Sequence, residues 1–201
     1  MQRAMLHMLV LLGLLTTAVR AELISGPMIA HLEMREAKIW IQTDEPTLVR
    51  VAYANADDPN ALYWTIPEET DSKQAHTALV TLDKIEPGLN YSYRVELNGE
   101  IVTSPARFSS PANYHGRTPP PDFKVAVGGA HYVIEEGFEP PYQLLGGGYN
   151  IFSAISESQP ALMIWAGNTA HLRKSDWSTQ SGYLKRYNKA RSVSQLQPLL
   201  Q

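Results

Sequence analysis

Two segments constrain the fold of this chain more than any others. Leu162-Met-Ile-Trp-Ala-Gly-Asn-Thr-Ala-His171 is an apolar run that breaks into a polar turn, and Phe123-Lys-Val-Ala-Val-Gly-Gly-Ala-His131 is built the same way. A strand apolar on both faces belongs inside a parallel sheet, and the loop at its carboxyl end is where open α/β sheets hold ligands. A strand over residues 123–127, a helix over 149–158 with Ile151, Phe152 and Ile155 on one face, and a strand over 161–165 predict a right-handed parallel crossover. Gly146-Gly-Gly148 precedes that helix. Without a P-loop lysine or a Rossmann spacing it reads as a flexible loop rather than an anion cradle. The sequence closes thirty residues after His171, so the expectation is the beginning of a catalytic domain without its later part.

The first half of the chain reads differently. Ala37-Lys-Ile-Trp-Ile-Gln-Thr43 alternates, and Tyr91-Ser-Tyr-Arg-Val-Glu-Leu97 places Tyr91, Tyr93, Val95 and Leu97 on one face. Val49, Val51 and Tyr53 form another such face, and Leu79-Val-Thr-Leu82 a further short strand. Asp44-Glu-Pro46, Asp57-Asp-Pro59, Glu86-Pro-Gly88 and Asn98-Gly99 supply the breaks, the last being a hairpin signal. Strands at this spacing predict an antiparallel β-sandwich. The stretch from Leu82 to Tyr93 looks like the corner of a fibronectin type III-like domain, with Tyr91 capping the turn. Pro111 and Pro119-Pro-Pro121 mark residues 109–122 as a semi-stiff linker. Ser192-Val-Ser-Gln195 reads as a capping box opening a last short helix that Pro198 limits.

Composition narrows the function classes. A net charge of −3 argues against a nucleic-acid surface or a polybasic membrane patch, and 44% hydrophobic residues suffice for a packed core. With no cysteine, no disulfide, thiol nucleophile or thiolate ligand is available. Arg3, the apolar run Met8-Leu-Val-Leu-Leu-Gly-Leu-Leu15 and the small residues of Val19-Arg-Ala21 read as an export signal over residues 1–21. The run is shorter than the roughly 20 residues a spanning helix needs, so no stable membrane span is expected. Export without cysteine fits a periplasmic or extracellular protein.

Taken together, Ser25-Gly-Pro27, the Ile39-Trp-Ile-Gln-Thr43 strand, the Glu86-Pro-Gly88 turn and the two strand edges resemble alkaline phosphatase D, the PhoD-like phosphatases. Trp165-Ala-Gly-Asn-Thr-Ala-His-Leu-Arg-Lys-Ser-Asp-Trp177 and the tail from Arg186 to Leu200 look like one branch of that family. The resemblance implies an exported, metal-dependent hydrolase of phosphate esters, with iron and calcium in intact relatives. It also implies a fibronectin-like domain over residues 22–108 and a partial α/β metallophosphatase-like domain over 123–201. Where the family has a Gly-Ser-Cys turn whose cysteine binds iron, this chain has Gly128, Gly129 and Ala130. Where it has Gly-Asp and a tyrosine three residues on, this chain has Gly167, Asn168 and His171. Alanine has no donor atom, an Asn oxygen is uncharged and bridges two cations poorly, and an imidazole differs from a tyrosinate in length and angle.

The expected vestigial metal positions are therefore Asn168, His171 and His131, with no cofactor expected in this chain. Their simpler reading is a solvated polar cluster capping two turns. Lys185, Arg186, Lys189 and Arg191 read as the wet face of a helix, or as a phosphate-steering patch if the resemblance holds. Trp177 and Tyr183 read as packing residues. Two parallel apolar strands leave uncovered faces and open edges, which calls for a protein partner or for the helices to fold back on the sandwich; a remnant open to proteases is the expectation. Three functions stand open. They are a truncated and catalytically impaired phosphate-ester hydrolase, a secreted non-catalytic fibronectin-like binding module, and a repurposed hydrolase using His131 or His171.

Overall fold

The computed structural model describes residues 20–135 and 148–200. All but the last two residues of the expected leader, and Gly146 and Gly147 of the glycine run, lie outside the described residues. Among the described residues no helix is long and apolar enough to cross a membrane.

The period-two alternation of the first half becomes strands β1 (Leu23–Leu32), β2 (Ala37–Thr43), β3 (Leu48–Asn55), β4 (Tyr63–Trp64), β5 (Glu68–Glu69), β6 (Thr77–Leu82), β7 (Asn90–Leu97), β8 (Glu100–Ile101) and β9 (Ala106–Ser109). They form two antiparallel sheets, β1-β2-β6 and β4-β3-β7-β8, with β5 paired to β3 and β9 to β7. Inward residues of both sheets, among them Ile39, Ile41, Val49, Val51, Tyr53, Val80, Tyr93 and Val95, share one core. Each such side chain contributes about 2 kcal/mol by leaving water. Asn98 and Gly99 form the two-residue loop between β7 and β8, with φ of 48° and 91°. Both lie in the left-handed region that this hairpin turn demands. The Tyr91 hydroxyl accepts from the Glu86 N–H at 2.7 Å, so Tyr91 caps this turn.

Beyond β9 come β10 (Val125–Gly128), α1 (Asn150–Glu157), β11 (Leu162–Trp165), α2 (Gln180–Arg191) and α3 (Gln197–Leu200). β10 and β11 pair in parallel, Val125 opposite Leu162 and Gly128 opposite Trp165. Apolar on both faces, the pair is covered on one only, and the other is the uncovered face expected of two parallel strands on their own. Met163 and Trp165 turn toward α1, where Phe152 is buried, while Val125, Leu162, Ile164 and Val127, the last 67% exposed, face outward. Phe123 stands outside the strand and is exposed.

Three further expectations are corrected. Ser192 ends α2, and its hydroxyl donates to the Lys189 carbonyl; the last turn starts from Val193 with no side-chain cap. The basic tail is not a uniformly wet face, because Arg186 is buried and the Arg191 guanidinium carbon lies 4.8 Å from the Trp40 ring centroid. Trp177 and Tyr183 are exposed rather than packed. With Arg191 on Trp40, α3 against β1, and the Gln180 amide donating to the Lys73 carbonyl at 3.5 Å, the helical end folds back on the sandwich.

Candidate functional site

The two strand-end loops lie side by side because the parallel register brings Gly128 opposite Trp165. Ala166 N–H donates to the Gly128 carbonyl at 2.7 Å, Ala130 N–H to that of Gly167 at 3.3 Å, and His171 N–H to that of His131 at 3.0 Å. A Cβ at Gly129 would sit 2.7 Å from the Gly167 oxygen, so this close approach requires glycine. Ala130 (φ 59°) and Asn168 (φ 48°) both occupy the left-handed region at the matching turns.

These loops bring together some of the sequence-predicted residues and separate others. The Asn168 amide nitrogen lies 3.1 Å from His171 Nδ1. An amide nitrogen only donates, so Nδ1 accepts and the neutral ring carries its proton on Nε2. The His171 ring also lies against Tyr132, centroids 5.2 Å apart. His131 is joined to His171 through the main chain, but its ring turns the other way. It is 6% exposed and packs against Phe152 at 4.8 Å, Tyr149 at 5.9 Å and Trp165 at 6.4 Å. Its Nε2 is buried with no hydrogen-bond partner. Burial first, then the charge of Arg186, hold this imidazole below its ordinary value. A cavity of about 290 Å³ opens between His131, Tyr132, Tyr149, Phe152 and Trp165.

The residue that fixes this arrangement is Arg186, which the charge pattern did not single out. It is 2% exposed. Its Nε donates to the His171 carbonyl at 2.8 Å and its Nη2 to the Val133 carbonyl at 2.8 Å, while its guanidinium carbon lies 5.3 Å from the Tyr132 ring centroid. Nη1 is 3.8 Å from Glu135 Oε2. Glu135 also accepts from Arg173 and lies 3.8 Å from the Lys185 ammonium. The Arg173 hydrogen bond is the main cause that lowers the Glu135 carboxyl below its usual range. Burial raises Asp176, but the Arg173 N–H at 2.9 Å and the charges of Arg173 and Arg186 carry it net downward. The available sequence signal was the spacing Gly182, Arg186, Ala190, which puts one small, close-packing face on α2. A Cβ at Gly182 would meet the Asp176 carbonyl at 2.6 Å.

A two-cation phosphoesterase centre needs charged donors that bridge the ions and activate water. The residues at these strand ends do not fit one. Ala130 offers no donor, Asn168 offers only an uncharged amide, and His131 Nε2 is enclosed by rings, which leaves the single imidazole of His171 and no anionic bridge. Among the described residues no group of three or more His, Cys, Asp and Glu is placed to hold a metal ion.

Comparison with known proteins agrees with the fold. The profile of a domain family described as DUF7800, a domain of unknown function, matches residues 20–115, just under half of the chain. Curated proteins give no sequence match. The solved structure of PhoD superposes with a TM-score of 0.62 at 15% identity, covering 86% of this chain and 36% of that one. The purple acid phosphatase PPD1 from yellow lupin (Lupinus luteus) seeds gives 0.58 at 14% identity, covering 87% and 33%. The fold is PhoD-like and phosphoesterase-like, and the chain spans about a third of the length of both structures.

Proposed function

We propose that this chain is a phosphoesterase-fold protein of PhoD-like descent that works outside the cytoplasm and does not hydrolyse phosphate esters through a two-metal centre at its strand ends. The observation that carries this reading is the donor set. The loops retain the turn geometry of a sheet-edge site, with Ala130 and Asn168 in left-handed conformations, yet present an alanine, an amide and one imidazole tied to that amide. Such a set supplies no anionic bridge for a cation pair. Export rests on Arg3, the apolar run from Met8 to Leu15 and the small residues ending at Ala21.

A second reading, a secreted fibronectin-like binding module, is favoured by the sandwich itself. Its core closes within residues 23–108, and its Tyr91 corner is the one expected of that fold. In that reading the outward face of β10 and β11 is where a protein partner covers the incomplete sheet.

The test pairs an activity assay with elemental analysis of protein grown with iron, calcium and zinc. We expect no hydrolysis of p-nitrophenyl phosphate or its bis-ester above a mock purification, and background metal only. Near-stoichiometric metal, with hydrolysis that disappears in Asn168→Ala and His171→Ala, would overturn the proposal in favour of a rebuilt hydrolase.

A further inference from the structure

The outer face of the β4-β3-β7 sheet carries a second candidate site, remote from the strand ends. Strand alternation sends Val51, Tyr53, Tyr93 and Val95 into the core and leaves Ala52, Ala54, Ser92 and Arg94 on the opposite face. The register sets Trp64 and Arg94 on either side of Ala52, and Ala54 and Arg107 on either side of Ser92. The result is a trench of about 480 Å³, floored by Ala52, Ala54 and Ser92, with Trp64, Arg94 and Arg107 on its walls beside apolar side chains such as Leu62 and Ile101.

The wall groups are prepared for a ligand in two ways. Trp64 is held from one side by the Arg50 guanidinium, whose carbon lies 4.1 Å from the ring centroid and whose Nη2 donates to Glu96 at 3.0 Å. The indole remains 42% exposed. Arg94 and Arg107 are exposed, and among the described residues neither forms an ion pair with a carboxylate. Asp57 lies in the adjoining hollow beside Arg107, again without an ion pair. Two uncompensated guanidiniums beside an open indole stand out in a chain whose net charge is −3.

We infer that this trench binds an acidic oligosaccharide, one sugar ring stacking on Trp64 and its neighbours' carboxylates pairing with Arg94 and Arg107. The ladder of the floor rules out an added peptide strand, and a peptide bound through its acidic side chains is an outcome of the test below. β3 and β7 are paired continuously from Val49 to Asn55, so their main-chain groups are already satisfied and no strand can add to them. Recognition falls to an aromatic plane, two planar forks of donors and the Ser92 hydroxyl. Guanidinium forks match carboxylates in a bidentate geometry, and an apolar ring face suits an indole. A nucleic acid would require a row of stacking platforms along a basic groove, and the trench offers one.

Calorimetric titration of the whole chain with an oligogalacturonate tests the inference. We expect saturable binding that weakens with salt and falls at least tenfold with the methyl-esterified oligomer, in Trp64→Ala and in the double variant Arg94→Gln/Arg107→Gln. The arginine variants remove exposed, unpaired groups, so an unchanged melting curve separates lost binding from lost folding. No binding of the oligogalacturonate, binding unaffected by these variants, or equal binding of polyglutamate or single-stranded DNA would each overturn it.

Discussion

At the residue scale, Arg186 holds the strand-end loops in place. It satisfies carbonyls in both the His131–Glu135 segment and the segment after β11, so its loss strands one buried and one part-buried acceptor and removes a charge from beside Glu135. Arg186→Met is expected to cost about 3 kcal/mol, by analogy with breaking a buried charged network, and denaturant unfolding followed at Trp165 checks it. His131 gives a pH signature. Its folded value lies below the ordinary one, so the unfolded chain takes up the proton first as pH falls. Stability is complete above about pH 6.5, the ordinary imidazole value, and declines as pH drops from there toward the folded value. Glu135 and Asp176 act in a separate window at lower pH, where stability present above their ordinary values is lost as pH falls through their depressed ones. Melting temperatures between pH 8 and pH 5 should therefore decline in the native protein and flatten in His131→Phe; an unchanged slope in that variant would exclude His131 as the source.

At the scale of elements, legibility followed the physics of each segment. β2, the β7–β8 hairpin and the Tyr91 corner were readable because alternation and turn residues are local, and each agrees with the sheet it joins. The two parallel strands were readable as strands with an uncovered face, but not in which face that would be. Four apolar residues on one face look the same in sequence whether or not a neighbour covers them. α2 was hardest to read. Its buried residues are Arg186 and Ala190, beside half-buried Gly182, and no large apolar residue marks that face, so its positive charges looked solvated. The strand-end donors were legible as types, since Ala130, Asn168 and His171 are plain in the sequence. The orientation of His131 was not, because its cage assembles from the start of α1, with Tyr149 and Phe152, and from Trp165 at the end of β11.

At the scale of the molecule, two cores of unequal size meet at a small contact. The sandwich core draws on both sheets, whereas the second core consists of Val133, Phe152, Ala170, Ala190, Val193 and Leu196 with a few partly buried neighbours. Regions with fewer buried contacts open at lower free-energy cost. Limited proteolysis is therefore expected to cut residues 123–200 while the sandwich survives, and Arg191→Ala, which removes the stack on Trp40, should quicken those cuts alone. Equal protection of both regions would sink this expectation.

The reach of Arg186 also sets an order in time. The Tyr91 corner joins groups five residues apart, whereas Arg186 meets Val133 across 53 positions and His171 across 15. Long-range closures cost more chain entropy than local ones and come late. The sandwich can assemble before the rest of the chain is made, whereas the loops after β10 and β11, though joined by main-chain hydrogen bonds, lack the Arg186 clasp until α2 is made. A later segment thus completes the site that an earlier one began, and a chain interrupted before Arg186 would carry a finished sandwich beside a sheet edge without this clasp.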